Sequence, residues 1–380
     1  MPGSLQETCF CLVQYLFSCQ AAHMSSQPEL HIFIPGLLDS LKIWKRDFDF
    51  IPQSTVLVDT LSACSRQRQS HNDWLTAAYQ LLTDTHNGNQ HSHANNCMHY
   101  DFADDGLDCN EESTNHGKQS VLLAHPIGLE AGMSDIMVSG EVISDLSAEE
   151  KAQLTDQLNK HFAQDGWTFR ISPQGHWYLQ LPAKDKPTHT IPLQQALGNS
   201  LRALQEGTEA VSWSKQLNEL QMLLYSSPVN QAREAQRKMP VSSFWLWDID
   251  VPQKAGETSP KIQYIAGGGY DGKVMAQASS LPWITLRDFS RHADSTASAI
   301  LLYPELVSAG NTNNLARWQE QLNELEQWLR PLLENKNRKI LIHTCNGVTW
   351  QLSGRWAGNW LGRLTRGLFT LRKKSLLDFA

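Results

Sequence analysis

Short apolar runs closed by Gly or Pro, alternating with helix-period segments, constrain this 380-residue chain more than any other feature. Leu30 to Ile34 (LHIFI) reads as a buried strand stopped by Pro35-Gly36. The spacing predicts a second strand at 55–58 (TVLV), a helix over 72–83 buried through Trp74, Ala78 and Leu81 or Leu82, and a strand at 119–124. Ser147 with Glu150 is a capping box for a helix running to about 164, striped by Leu154, Leu158 and Phe162 and stopped by Gly166. Trp167, Phe169 and Ile171, then Trp177, Leu179 and Leu181, alternate on either side of Pro173-Gln-Gly175, which predicts a hairpin. Helices follow at 192–204, 212–225 and 229–236, then a strand at Phe244–Trp247. A long helix is predicted from 315 to 334 with Trp318, Leu322, Leu325 and Leu329 in register, and strands at 339–343 and 348–352 flank Asn346-Gly347. This order predicts an α/β fold whose mixed sheet carries flanking helices and at least two antiparallel hairpins. Residues 28–380 are expected as one domain, after a leader or tail at 1–27.

Residues 84–118 differ in character, rich in His, Asn and Asp without aliphatic periodicity, and read as a mobile surface insertion. The apolar run at 9–17 resembles a signal-peptide core but has no Lys or Arg before it, and Met24 is an alternative start. The seven cysteines (Cys9, Cys11, Cys19, Cys64, Cys97, Cys109, Cys345) show no disulfide framework, which favours a cytoplasmic setting. No membrane span is expected, because no later segment has about 20 continuous apolar residues. A net charge of -7 argues against general attraction to nucleic acid. The exception is local: residues 355–374 carry Arg355, Arg363, Arg366, Arg372, Lys373 and Lys374 with no acid, between Trp356, Trp360, Leu361, Leu364 and Leu368. Such a segment either docks on its own domain or serves a peripheral adaptor on anionic surfaces.

Four motifs carry chemistry on paper. Gly267-Gly-Gly-Tyr-Asp-Gly272-Lys273 nearly matches the phosphate-binding G-x-x-x-x-G-K-[S/T] loop, but Val274 stands where the metal-binding hydroxyl belongs. His86, His91, His93, Cys97, His99, Cys109 and His116 offer metal-binding side chains without the usual zinc spacing, so a solvated loop is the plainer reading. Ile34-Pro-Gly36 has the look of a hydrolase oxyanion loop, yet the chain lacks G-x-S-x-G. Asp248 and Asp250, at i and i+2 after a strand, are weak candidates for Mg²⁺, against the plainer reading of solvated strand-end acids.

The stretch from Trp213 to Trp247 is the most informative. It contains Asn218-Glu-Leu-Gln-Met-Leu-Leu224, Pro228-Val-Asn230, Arg233, Pro240-Val-Ser-Ser243 and Trp245-Leu-Trp247. Asn230 and Arg233 lie one turn apart at a helix start, a pairing suited to gripping an anion, with Asn218 and Gln221 as polar companions. This pattern resembles the RpfE-type regulatory proteins, a group described as predicted cofactor-independent phosphoglycerate mutases. The resemblance reaches more weakly to Pro35-Gly-Leu37, to 145–181 and to Trp328-Leu-Arg-Pro-Leu332. It implies an alkaline-phosphatase-superfamily-like fold and a phosphorylated small molecule as ligand.

The departures fall on chemistry. The family's histidines fall on Tyr225 and Ser227, its W-L-W-G-x-G glycines on Asp248 and Asp250, and its D-P-V-H on His125-Pro-Ile-Gly128. Mutases of this kind use two metals and a phosphoryl-carrying serine. Pro35-Gly36 stands where they place a metal-binding Asp, and Ala293-Asp-Ser-Thr296 lacks the histidine of their later motif. The expectation is a diverged, non-catalytic protein with a regulatory or anion-binding role and no cofactor. The alternatives are an active metal-dependent mutase or phosphatase, with Asp248 and Asp250 as ligands, and the peripheral adaptor.

Overall fold

The computed structural model describes residues 27–68, 73–82, 90–103, 119–132, 135–187, 190–201, 210–252, 262–291, 297–333, 338–352 and 374–380. The leader through residue 26, His86, Cys109, His116, the 293–296 string and the basic segment 355–373 lie outside the described residues. Where the sequence suggests one domain, the chain gathers into two compact units. One comprises Met1–Asp84, Lys254–Pro304 and Gln319–Ala380; the other comprises Thr85–Gln253 and Glu305–Trp318. The fold is mixed α/β, as the alternation of patterns predicts.

Strands are numbered in chain order. The first unit is built on β1 (Glu29–Phe33), β2 (Cys64–Arg68), β10 (Tyr264–Gly267), β11 (Trp283–Ile284), β12 (Ala299–Leu302), β13 (Lys339–His343) and β14 (Val348–Leu352). They form one seven-stranded sheet in the order β11-β10-β12-β1-β13-β14-β2. The first five in that order are parallel, and β14 and β2 are antiparallel additions. β1, β10 and β12 are almost wholly buried along their length, which is why they read as continuous apolar runs rather than alternating ones. β2 closes the edge with largely exposed CSRQR, and Arg66 lies over the Trp350 ring. Charged side chains on an edge strand discourage pairing with another chain.

The second unit holds β3 (Gln90–Ser92), β4 (Gln119–Ala131), β5 (Ile136–Val142), β6 (Thr168–Ile171), β7 (Trp177–Pro182), β8 (Ser243–Trp247) and β9 (Asp250–Pro252). Its main sheet runs β5-β4-β7-β6 with β8 also on β4, all antiparallel, while β3 pairs with β9. One face packs Trp167, Phe169, Trp177, Leu179 and Phe244 against Leu154, Leu158 and Phe162 of the helix Ala148–His161 and its 3-10 extension. Ser147 and Glu150 form the expected capping box, and Gly166 ends the element at φ 73°. The predicted hairpin is β6–β7, with Phe169 opposite Leu179 and Ile171 opposite Trp177.

Three expectations are corrected. TVLV is the start of a helix, Val56–Ala63, with Leu57, Val58 and Leu61 buried; four apolar residues cannot distinguish a short strand from the first turn of a buried helix. Within the described part of the helix expected at 192–204, the first segment is a single turn, Leu193–Ala196, followed by Gly198 at φ 74°; residues 202–204 lie outside the described residues. The insertion is partly core. Helix His93–Asp101 buries His93, Ala94, Cys97, Met98 and Asp101, although its polar residues hide any stripe. No helix among the described residues is long and apolar enough to cross a membrane.

Candidate functional site

The helix Ala210–Tyr225 ends at Ser226-Ser227, and Pro228 opens the helix Pro228–Ala235 at its first position, where its missing N–H costs nothing. Asn230 and Arg233 fall one turn apart on the buried side of that second helix. Asn230 Nδ2 donates to the carbonyls of Leu224 (2.7 Å) and Val241 (2.8 Å), and its Oδ1 accepts from the Val241 amide at 2.8 Å. One side chain thus satisfies the end of one helix and the approach to β8. Arg233 is fully buried. Its Nε donates to Met239 O (2.8 Å), Nη1 to Glu150 Oε1 (3.1 Å) and Nη2 to Asp145 Oδ1 (2.5 Å).

The electrostatics follow that geometry. Arg233 holds the Asp145 carboxyl below its usual range. Desolvation pushes Glu150 up, but the Ser147 amide and Arg233 outweigh it and leave it low. Desolvation likewise opposes the charge on Arg233, and Asp145 and Glu150 overcome it. Two carboxylates balance the guanidinium, so an anion reaches it only by displacing them. Asn218 is exposed and Gln221 half-buried, on a helix that also exposes Met222 and Tyr225. Of the residues expected to grip an anion, Asn218, Gln221, Asn230 and Arg233, the last two are engaged in hydrogen bonds within the protein and form an internal latch.

Asp248 and Asp250 also differ from expectation. Asp248 is buried; its Oδ1 accepts from the Ala94 amide (2.8 Å) and its Oδ2 from Lys186 Nζ (2.7 Å). Its carbonyl accepts from the Thr190 hydroxyl. Lys186 also lies 3.7 Å from Asp250. The pair shares one lysine, and Asp248 caps the helix His93–Asp101, a favourable place for negative charge. Of the histidine-rich set, His93 Nε2 and Cys97 Sγ meet at 3.4 Å across one helical turn. Among the described residues, no group of three His, Cys, Asp or Glu is placed to hold a metal.

Within the first unit, the carboxyl edge of the parallel strands gathers different chemistry. β1 runs out through Ile34-Pro35 to Gly36 at φ 77°, whose N–H donates to Asp39 Oδ2 at 3.2 Å. Asp39 is exposed to solvent, yet desolvation by surrounding protein raises its carboxyl pKa. Beyond β13, Cys345 adopts φ 59°, which few non-glycine residues do. Burial first, then the charges of Asp39 and Asp73, push its thiol well up. Asp73 also caps the helix Trp74–Leu81 through the Leu75 and Thr76 amides.

β10 ends in three successive left-handed glycines, Gly267, Gly268 and Gly269, at φ 72°, 70° and 54°. The Gly268 N–H donates to Leu302 O at 2.9 Å. A Cβ on Gly267 would meet that carbonyl at 2.4 Å, whereas one on Gly269 would meet nothing within 4 Å. The helix Gly269–Ala278 begins there, longer than the following sequence suggests. Gly272-Lys273 therefore sits a turn inside the helix instead of at its start. Lys273 Nζ lies 4.8 Å above the Trp283 ring, whose Nε1 donates to Gly267 O. The phosphate-loop reading fails in that detail, while the glycine-lined helix start remains.

Sequence reasoning missed Asp39, Asp73, His31 and His343. A signal existed for the histidines: each stands inside an otherwise apolar strand, LHIFI and KILIH. No family model matches the chain, and no curated protein matches it. Among solved structures, it is similar to the PH0037 protein of Pyrococcus horikoshii, with 11% identity and a TM-score of 0.46 over 86% of this chain and 87% of that one. It is also similar to a cofactor-independent phosphoglycerate mutase from Thermoplasma acidophilum DSM 1728, with 11% identity and a TM-score of 0.33 over 86% and 89% of the two chains. Both TM-scores lie under 0.5, so the fold is defined by its own sheets and helices.

Proposed function

We propose that this chain is a diverged phosphoglycerate mutase-like protein that binds a phosphorylated small molecule at the carboxyl edge of its seven-stranded sheet, in a regulatory rather than catalytic role. The RpfE-type and alkaline-phosphatase-superfamily-like assignments belong to this reading and rest on the 213–247 motifs. The ligand class follows from one observation, the open start of the helix Gly269–Ala278. After β10 the chain proceeds outward to β11, and after β12 it proceeds the other way to β13. Ligands of open α/β sheets gather where adjacent strands diverge like this. A helix N-terminus presents N–H groups to an anion, and Gly269 leaves room for one to approach.

Calorimetry with 3-phosphoglycerate and with inorganic phosphate tests the reading. Gly269→Ala places one methyl in that open space and is expected to weaken binding at least tenfold while the protein stays folded. Absent binding, or equal binding by the variant, rejects the site. Conversion of 3-phosphoglycerate by the protein in the presence of Mn²⁺ would end the non-catalytic proposal.

A further inference from the structure

A line of five polar side chains crosses β1, β13 and β14 through the first unit. Lys339 Nζ donates to Glu29 Oε1 at 3.1 Å. Glu29 Oε2 lies 3.3 Å from His31 Nε2, and His31 Nδ1 lies 3.1 Å from His343 Nε2. His343 Nδ1 lies 3.0 Å from Thr349 Oγ1. The two imidazoles are nearly coplanar in orientation, 10° apart, and Phe33 stacks on His343. Both histidines are buried.

Hydrogen-bond arithmetic leaves few choices. An ionised carboxylate only accepts, and a neutral imidazole has one donor and one acceptor nitrogen. The hydrogen bond from His31, with help from Lys339 and against desolvation, holds Glu29 down to about 2, so it accepts throughout the neutral range. His31 therefore donates through Nε2. If His31 is neutral, its Nδ1 is bare, His343 must donate through Nε2, and Thr349 must donate its hydroxyl proton to His343 Nδ1. If His31 carries an extra proton, its Nδ1 donates, His343 Nε2 accepts, and His343 Nδ1 donates to Thr349. We infer that Glu29, His31, His343 and Thr349 form a one-proton polarity switch: proton uptake by His31 exchanges the tautomer of His343 and turns Thr349 from donor to acceptor.

The surroundings suit that division of labour. The charged members of the line are Glu29 on β1 and Lys339 on β13; β14 contributes the Thr349 hydroxyl, and Ser298 before β12 accepts the Glu29 amide. Burial first, then charge on His31, pushes His343 down to about 3, so the second ring stays neutral while the first is charged. Thr349 pairs across β14 with His343, next to the turn that holds Cys345. A proton taken up beside Glu29 is thus reported near the carboxyl edge of the sheet without charge moving there.

Imidazole ¹⁵N spectra of the full chain, with histidines selectively labelled and assigned through His31→Gln and His343→Gln, test this between about pH 8 and pH 5, where imidazoles commonly titrate. The expected result is that the bare and protonated nitrogens of His343 exchange identities at the midpoint at which His31 becomes doubly protonated. In His31→Gln the His343 tautomer is expected to stay fixed across the same range. A His343 tautomer that stays constant through the His31 titration overturns the switch. So does a second proton on His343 in that window, or a tautomer change that persists in His31→Gln.

Discussion

Replacing Arg233 by Met keeps much of the apolar stem and removes the guanidinium, which isolates the latch between the helix Pro228–Ala235 and the start of the helix Ala148–His161. Three hydrogen bonds disappear, to Met239 O, Glu150 and Asp145. Bonds to charged groups contribute about 1.5–3 kcal/mol each and neutral ones about 1. The Asp145 side chain is 55% exposed and the Glu150 side chain 19%, so water takes back part of the first and little of the second. Counting Asp145 below about 1 kcal/mol, the loss comes to roughly 3–4 kcal/mol. Urea unfolding combined with amide exchange across 228–241 reads that loss in the unit concerned, which matters because a chain of two units need not unfold in one step. Asp145 and Glu150 have lowered folded pKa values, so their contribution is complete above the unfolded carboxylate range near pH 4 and fades as pH falls through the folded values. The gap between wild type and Arg233→Met should therefore be constant near neutrality and narrow in acid. A loss below about 1 kcal/mol, together with weaker phosphoglycerate binding, would return Arg233 to the role of ligand anchor.

His343, ordinarily near 6.5, is pushed down to about 3, so folding favours its neutral form. Its stabilisation is complete above pH 6.5 and falls by about 1.4 kcal/mol per unit towards pH 3; His343→Gln should flatten that part of the urea-midpoint profile. Asp248→Asn keeps an acceptor for the Ala94 amide but abandons Lys186, and should cost about 1–2 kcal/mol, read as faster amide exchange in 93–101. Gly267→Ala should cost more than about 3 kcal/mol and Gly269→Ala only about 1, because both need left-handed backbone but only the first forces a Cβ against Leu302 O; thermal unfolding ranks them.

Periodicity made most of the architecture legible before any coordinates. The capping box at Ser147, the Leu154–Phe162 stripe and the β6–β7 hairpin are local, and local patterns survive tertiary context. The helix His93–Asp101 was hidden because its burial comes from Asp248, Ser92 and packing on β4, not from an apolar stripe. The site was less legible still. Asn230 and Arg233 have the residue types of an anion grip, and only coordinates reveal carboxylates 83 and 88 residues away consuming the arginine. Asp39 and Cys345 lie far apart in sequence, and the parallel pairing of β1 with β13 carries the loops that hold them to the same edge of the sheet.

The arrangement around β1 sets a timetable for synthesis. Both of its neighbours, β12 and β13, come from the far end of the chain, and 269 residues separate Glu29 from Ser298. At about 5–20 residues per second, Leu30–Ile34 waits roughly 15–50 s for a partner. The antiparallel sheet of the second unit has all its strands once residue 247 has emerged. That sheet can therefore form on the ribosome while the first strand made is still among the last to be covered, and that apolar pentapeptide is where a chaperone has most to protect.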